Sequence, residues 1–63
     1  MCLSRAYLET NGKSELLMAE ITRVEIAGDR LILKDLFGQQ KEIGGRLKVV
    51  DFVANTMLVE KVL

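Results

Sequence analysis

The stretch Arg23-Val24-Glu25-Ile26-Ala27-Gly28-Asp29-Arg30-Leu31-Ile32-Leu33-Lys34 decides the fold. Apolar and charged residues alternate on both sides of Gly28-Asp29, the period of two expected from strands that cover a core with one face. Val24 and Ile26 fall on one side of the first strand, Arg23 and Glu25 on the other. In the second strand Leu31 and Leu33 are expected inward, with Arg30, Ile32 and Lys34 outward. Gly28-Asp29 supplies the tight turn, since glycine takes positive φ angles without steric cost.

Outward from this hairpin the same pattern recurs. Asn11-Gly12 is the strongest hairpin signal in the chain. It joins a strand at residues 2–10 to a return strand at residues 13–18. Leu3, Arg5, Tyr7 and Glu9 share one side of the first of these, and Cys2, Ser4, Ala6 and Leu8 the other. Each side is partly apolar, so one face should be buried and the other half covered. Residues 14–26 also fit a helix, with Leu17, Ile21 and Val24 on one face and Ser14 as its cap. The Asn-Gly pair directly upstream and the β-branched residues from Ile21 onward favour strand, with a bend near Ala19-Glu20.

Downstream, residues 35–39 read as a connection anchored by Phe37. A short strand at residues 40–43 is broken at Gly44-Gly45 by a bulge or a sharp corner. Another follows at residues 46–51, with Leu47 and Val49 on one face. Residues 52–55 turn the chain, Asn55 suiting a left-handed position. The last strand, residues 56–63, is apolar nearly throughout and is expected to be central or to pair across a subunit boundary. The sum is six or seven short antiparallel strands in one domain, residues 1–63. This predicts an all-β fold, a small SH3-like or Sm-like barrel, because an immunoglobulin sandwich needs about 100 residues.

A core this small is marginal and usually needs a disulfide, a metal or a partner subunit. The chain has one cysteine and no histidine, which excludes an intrachain disulfide and a Cys/His zinc site. Hydrophobic residues make up 49% of it, an excess that fits a surface buried between subunits, so a homodimer is expected. Nine basic residues balance nine acidic ones, leaving no field to gather nucleic acid or an anionic membrane. No apolar run is long enough to span a bilayer. The start Met-Cys-Leu-Ser-Arg lacks the basic-then-apolar build of a signal peptide, so a cytoplasmic location and a free thiol are expected.

The chemistry concentrates at Met1-Cys2. The Cys2 thiolate is a soft ligand, and the amine of residue 1 is a second donor. Between them lies the amide nitrogen of Cys2, which nickel(II) or copper(II) can deprotonate and bind. Amine, amide and thiolate then lie in one plane, the surroundings these metals favour with nitrogen and sulfur donors. Were Met1 removed, Cys2 alone would offer amine and thiolate, and two subunits would complete the set. The competing role is a plain one: lone cysteines commonly pack as small hydrophobes. A chain terminus, however, seldom forms the centre of a core.

The opening Met1-Cys2, the Asn-Gly hairpin and the tail from Val49 to Glu60 resemble CooT-type proteins, small nickel-binding accessory proteins for maturing carbon monoxide dehydrogenase. The resemblance covers the whole chain and implies a homodimer of small β-barrels with an exposed Ni(II) site at the interface. Cys2 maps onto the family's key cysteine, with Met1 as its companion. The implied role is that of a metallochaperone, with carbon monoxide dehydrogenase as the receiving enzyme. Some members add a histidine from the last turn, near Asn55; this chain has none. The family has also been described as RNA-binding, so a small RNA-binding Sm-like barrel is one alternative, and a structural dimer without metal another. Lys41, Arg46 and Lys48 are the basic residues an RNA would use. An enzyme is not expected: there is no histidine for base catalysis, no well-spaced carboxylate pair and no phosphate-binding loop.

Overall fold

The computed structural model describes residues 3–61. Five strands follow one another: β1 (Ser4–Thr10), β2 (Lys13–Ala27), β3 (Arg30–Asp35), β4 (Gln40–Asp51) and β5 (Thr56–Lys61). They form a closed barrel in which each strand pairs with its sequence neighbour and β5 returns to β1. The sequential pairs are antiparallel, whereas β1 and β5 are parallel. That follows from the odd count: in an up-and-down run of five, the first and fifth strands point the same way. The all-β barrel expected from the sequence is the fold observed.

The strands number five because two expected breaks are bends within long strands. At the first, Glu20 takes φ 56° and the ladder shifts register on both sides of it. At the second, β4 changes partner: Gly44 faces Arg30 of β3, while Gly45 faces Lys61 of β5. Glycine is required there by contact rather than by φ. A Cβ on Gly45 would stand 2.5 Å from the Glu60 carbonyl oxygen and 3.3 Å from Val59 Cγ1. Gly44-Gly45 is thus a corner, as one of the two sequence readings held.

These bends divide the barrel into two sides. A four-stranded side joins the first half of β2 to β1, β5 and the second half of β4. A three-stranded side joins the second half of β2 to β3 and the first half of β4. Ala6, Ile21, Leu33 and Met57 form one core cluster, and Leu8, Leu31 and Val59 the other. Leu17, Val24, Ile43 and Leu47 pack against both clusters and make them continuous. Leu31 and Leu33 are fully buried, as the alternation in the central hairpin requires, and so is Val59 of β5.

Three local expectations change. Alternation puts Ile26 on the same side as Val24, which packs against the core, yet Ile26 is 66% exposed beside the Gly28-Asp29 turn. Leu47 and Val49 do not share a face, because the register shifts between them and Lys48 is the extra residue of a bulge. Phe37 is no anchor: it is 73% exposed. The loop is held instead by Asp35, itself buried, whose Oδ1 accepts the backbone N–H of Phe37 at 3.0 Å and of Gln39 at 2.8 Å.

Candidate metal centre

Met1 and Cys2, the two predicted metal-site residues, lie outside the described residues. Their attachment point is well defined. β1 starts at Ser4, which pairs with Ile21 of β2 on one side. On the other side Arg5 pairs with Thr56, and the Arg5 backbone N–H donates to the Asn55 carbonyl oxygen at 3.0 Å. Two residues of fully extended chain reach at most about 7 Å, which bounds the Cα distance from Cys2 to Ser4.

The surroundings of that point are set by three backbone devices. The kink at Glu20 brings its carbonyl oxygen to the Leu36 N–H at 2.9 Å, tying the β3–β4 loop to the same end of the barrel. Ile21 pairs with Ser4 and also with Asp35, so this loop stands two strands from the start of β1. On the opposite flank Asn55 adopts φ 56°, the left-handed geometry expected of it. Asp51 Oδ1 fixes that turn by accepting the N–H groups of Val53 at 2.9 Å and Ala54 at 3.0 Å. Asn55 therefore directly adjoins the first residues of β1. It is the position where the family resemblance would put a histidine, and its amide is a much weaker metal donor than an imidazole.

Among the described residues, no group of three or more Cys, Asp or Glu side chains is arranged to hold a metal ion. Several titratable groups elsewhere are engaged in ordinary ion pairs. Glu9 and Glu60 stand directly opposite each other on β1 and β5, a repulsive arrangement. The bulge aims Lys48 at Glu9, Nζ to Oε1 2.6 Å, and Arg46 lies 3.7 Å from Glu60. The hydrogen bond and charge of Glu9, with a smaller contribution from Glu60, push the Lys48 amine above its ordinary value. Lys41 lies apart from these two, its amine 3.5 Å from the Leu17 carbonyl oxygen. The suggested basic patch is thus split, and two of its members are neutralised in place.

The outer face of the four-stranded side carries the feature that sequence reading missed. Leu16 faces Tyr7, Tyr7 faces Leu58, and Leu58 faces Val49, giving an unbroken apolar row across β2, β1, β5 and β4. Leu16 is 54% and Val49 49% exposed. Each residue is ordinary in its own strand; only the register aligns them. Composition gave the sole hint, an apolar content above what this core absorbs.

The comparisons with known proteins agree with this architecture. The sequence model of a family described as "CO dehydrogenase accessory protein CooT" matches residues 1–60. An uncharacterized protein of Methanocaldococcus jannaschii is 40% identical over 60 residues, spanning 95% of this chain and 98% of that protein. The crystal structure of a Carboxydothermus hydrogenoformans protein named as a CooT superposes with a TM-score of 0.89 at 26% identity, over 98% of this chain and 100% of that one. With the barrel, its register and the family match in agreement over nearly the whole length, the chain belongs to the CooT family of CO dehydrogenase accessory proteins.

Proposed function

We propose that this protein is a homodimeric metallochaperone. It binds Ni(II) through the Cys2 thiolate and the Met1 amine, and supplies the ion during carbon monoxide dehydrogenase maturation. Membership of an accessory family for that enzyme supports the delivery role. The observation that carries the reading is the placement of β1. Its first residues, Ser4 and Arg5, are pinned between Ile21 and the Asn55-Thr56 turn, a fixed edge of the barrel to which the Met1-Cys2 donors are joined through Leu3.

The dimer follows from the apolar row. Two copies related by a two-fold axis can lay the Leu16–Tyr7–Leu58–Val49 row of one against that of the other, a self-complementary contact. The charged residues beside it, Glu9, Lys48, Arg46 and Glu60, form a polar rim. In this dimer a second terminus supplies the ligands that one chain lacks. Thiol, amine and amide must all lose protons on binding, so affinity falls as the pH is lowered.

The test is titration of the purified protein with nickel(II), followed by the thiolate-to-nickel absorption, together with sedimentation to give the mass. The parent protein should bind as a dimer, and Cys2→Ser should abolish the absorption while leaving the dimer intact. Equal binding by Cys2→Ser would overturn the metal site, and a monomeric mass would overturn the dimer.

A further inference from the structure

Two loop tips on this barrel are built alike. In each, an aspartate carboxylate caps the backbone and two apolar residues follow it: Asp35-Leu36-Phe37 and Asp51-Phe52-Val53. Leu36 and Phe37 are 57% and 73% exposed, Phe52 and Val53 86% and 95%. None of the four belongs to either core cluster or packs against one. Large apolar side chains held in water by fixed backbone, at two places, call for an explanation beyond folding.

We propose that the tips Leu36-Phe37 and Phe52-Val53 together form the docking surface for the enzyme that receives the metal ion. This assignment rests on the delivery reading above. Ligand exchange requires the acceptor to touch the donor end, so the acceptor must cover the ground on both sides of the start of β1. The two tips occupy that ground. Asp35 reaches Ser4 through Ile21, and Asn55, at the end of the other turn, is bonded to Arg5. Three strand spacings separate the two loops along the sheet, about 14 Å. A standard interface buries about 800 Å² on each partner, a patch roughly 30 Å across, and so takes in both tips and the start of β1 between them.

The carboxylate caps also suit this role. A loop already held in one conformation loses little entropy on binding, and exposed phenylalanine is a residue type favoured at interfaces. The apolar row proposed for the dimer crosses the outer face of the four-stranded side, and its members Val49 and Leu58 lie on the two strands that the Phe52-Val53 turn joins. Leu36-Phe37 projects from the three-stranded side and is left free by that pairing.

The experiment uses purified nickel-free carbon monoxide dehydrogenase of the same organism as the probe, with its binding to the full-length protein followed by calorimetry. Phe37→Ser and Phe52→Ser are made singly and together, and each is also titrated with nickel and sedimented. Each single change should weaken enzyme binding about tenfold and the pair about a hundredfold, as expected for interface anchors. Nickel titration and dimer mass should be unchanged. Unaltered enzyme binding by the double variant overturns the proposal, as does absence of binding by the parent. A double variant that turns monomeric would place the tips between the two copies and overturn it equally. A parent protein that takes up no nickel would overturn the delivery reading, and the assignment would fall with it; the separate titration tells that failure from the others.

Discussion

The two outer faces of this barrel share strands yet differ in kind. On the three-stranded side Arg23, Lys34 and Gln40 lie in one row, and Glu25, Ile32 and Glu42 in the next. Arg23 pairs with Glu25 and Arg30 with Glu42, an ordinary solvated surface. On the four-stranded side the row Leu16–Tyr7–Leu58–Val49 is wholly apolar. β2 and β4 run through both sides, so composition by strand cannot separate the faces. The bends at Glu20 and Gly44-Gly45 do so, by sending the two halves of each long strand to different partners. A small domain can thus carry one polar face and one apolar face without an additional element.

The most damaging way to break this contrast is to remove the corner that creates it. Gly45→Ala places a methyl group 2.5 Å from the Glu60 carbonyl oxygen, a backbone atom that cannot swing aside. It should cost about 2 kcal/mol, within the range of overpacking, and lower the urea midpoint of the barrel. Next in size is the exchange of charge between faces. Leu16→Lys combined with Val49→Lys should dissociate the dimer in sedimentation while changing monomer stability by no more than about 0.5 kcal/mol per site, because both side chains are already about half exposed. Ile32→Lys, the matching change on the solvated face, should leave the mass unaltered. A dimer that survives the first pair and falls apart with Ile32→Lys would reverse the assignment of the faces.

The smallest effect concerns the Lys48 amine. Its pKa is raised in the folded state by Glu9, above the ordinary value of 10.5. The pair's contribution is complete below that ordinary value and is lost as the pH rises through the elevated one. Lys48→Met should remove this alkaline dependence and bring a slight loss of stability near neutral pH that vanishes in high salt. An NMR titration of the Lys48 side chain showing no upward displacement would refute the pairing.

Much of the fold was readable because its turns use residues with few alternatives. Asn11-Gly12 and Gly28 take positive φ at the hairpins, and Asn55 does so before β5. Leu31 and Leu33 were identified as core by alternation alone. What escaped were properties of pairing rather than of residues. The bend expected near Ala19-Glu20 is present, but it is made by a left-handed non-glycine residue, Glu20, a geometry that no local signal announces. The bulge at Lys48 changes which side chains face the core downstream of it, so period-2 counting fails at Val49. Phe37 was mistaken for an anchor because aromatic residues in short connections usually bury, and the carboxylate that holds the loop in its place acts through backbone N–H groups. Of the candidate site, whose Met1 and Cys2 both lie outside the described residues, only the donor types were readable, from residue type. The attachment of β1 beside Asn55 was not, because it joins opposite ends of the chain.

That last contact has a consequence for biosynthesis. Arg5 meets Thr56 only after β5 has been made, so the pairing that fixes the first residues is among the longest-range in the chain. Contacts of such separation form late, since a large loop must close before they contribute. The segment that leaves the ribosome first can pair with β2 early, but it gains its second neighbour, β5, last. A growing chain lacks the Arg5–Thr56 pairing and gains it only on completion. The metal site proposed at Met1-Cys2 would in this way be completed only in finished protein, which would guard a soft, promiscuous donor pair against loading during synthesis.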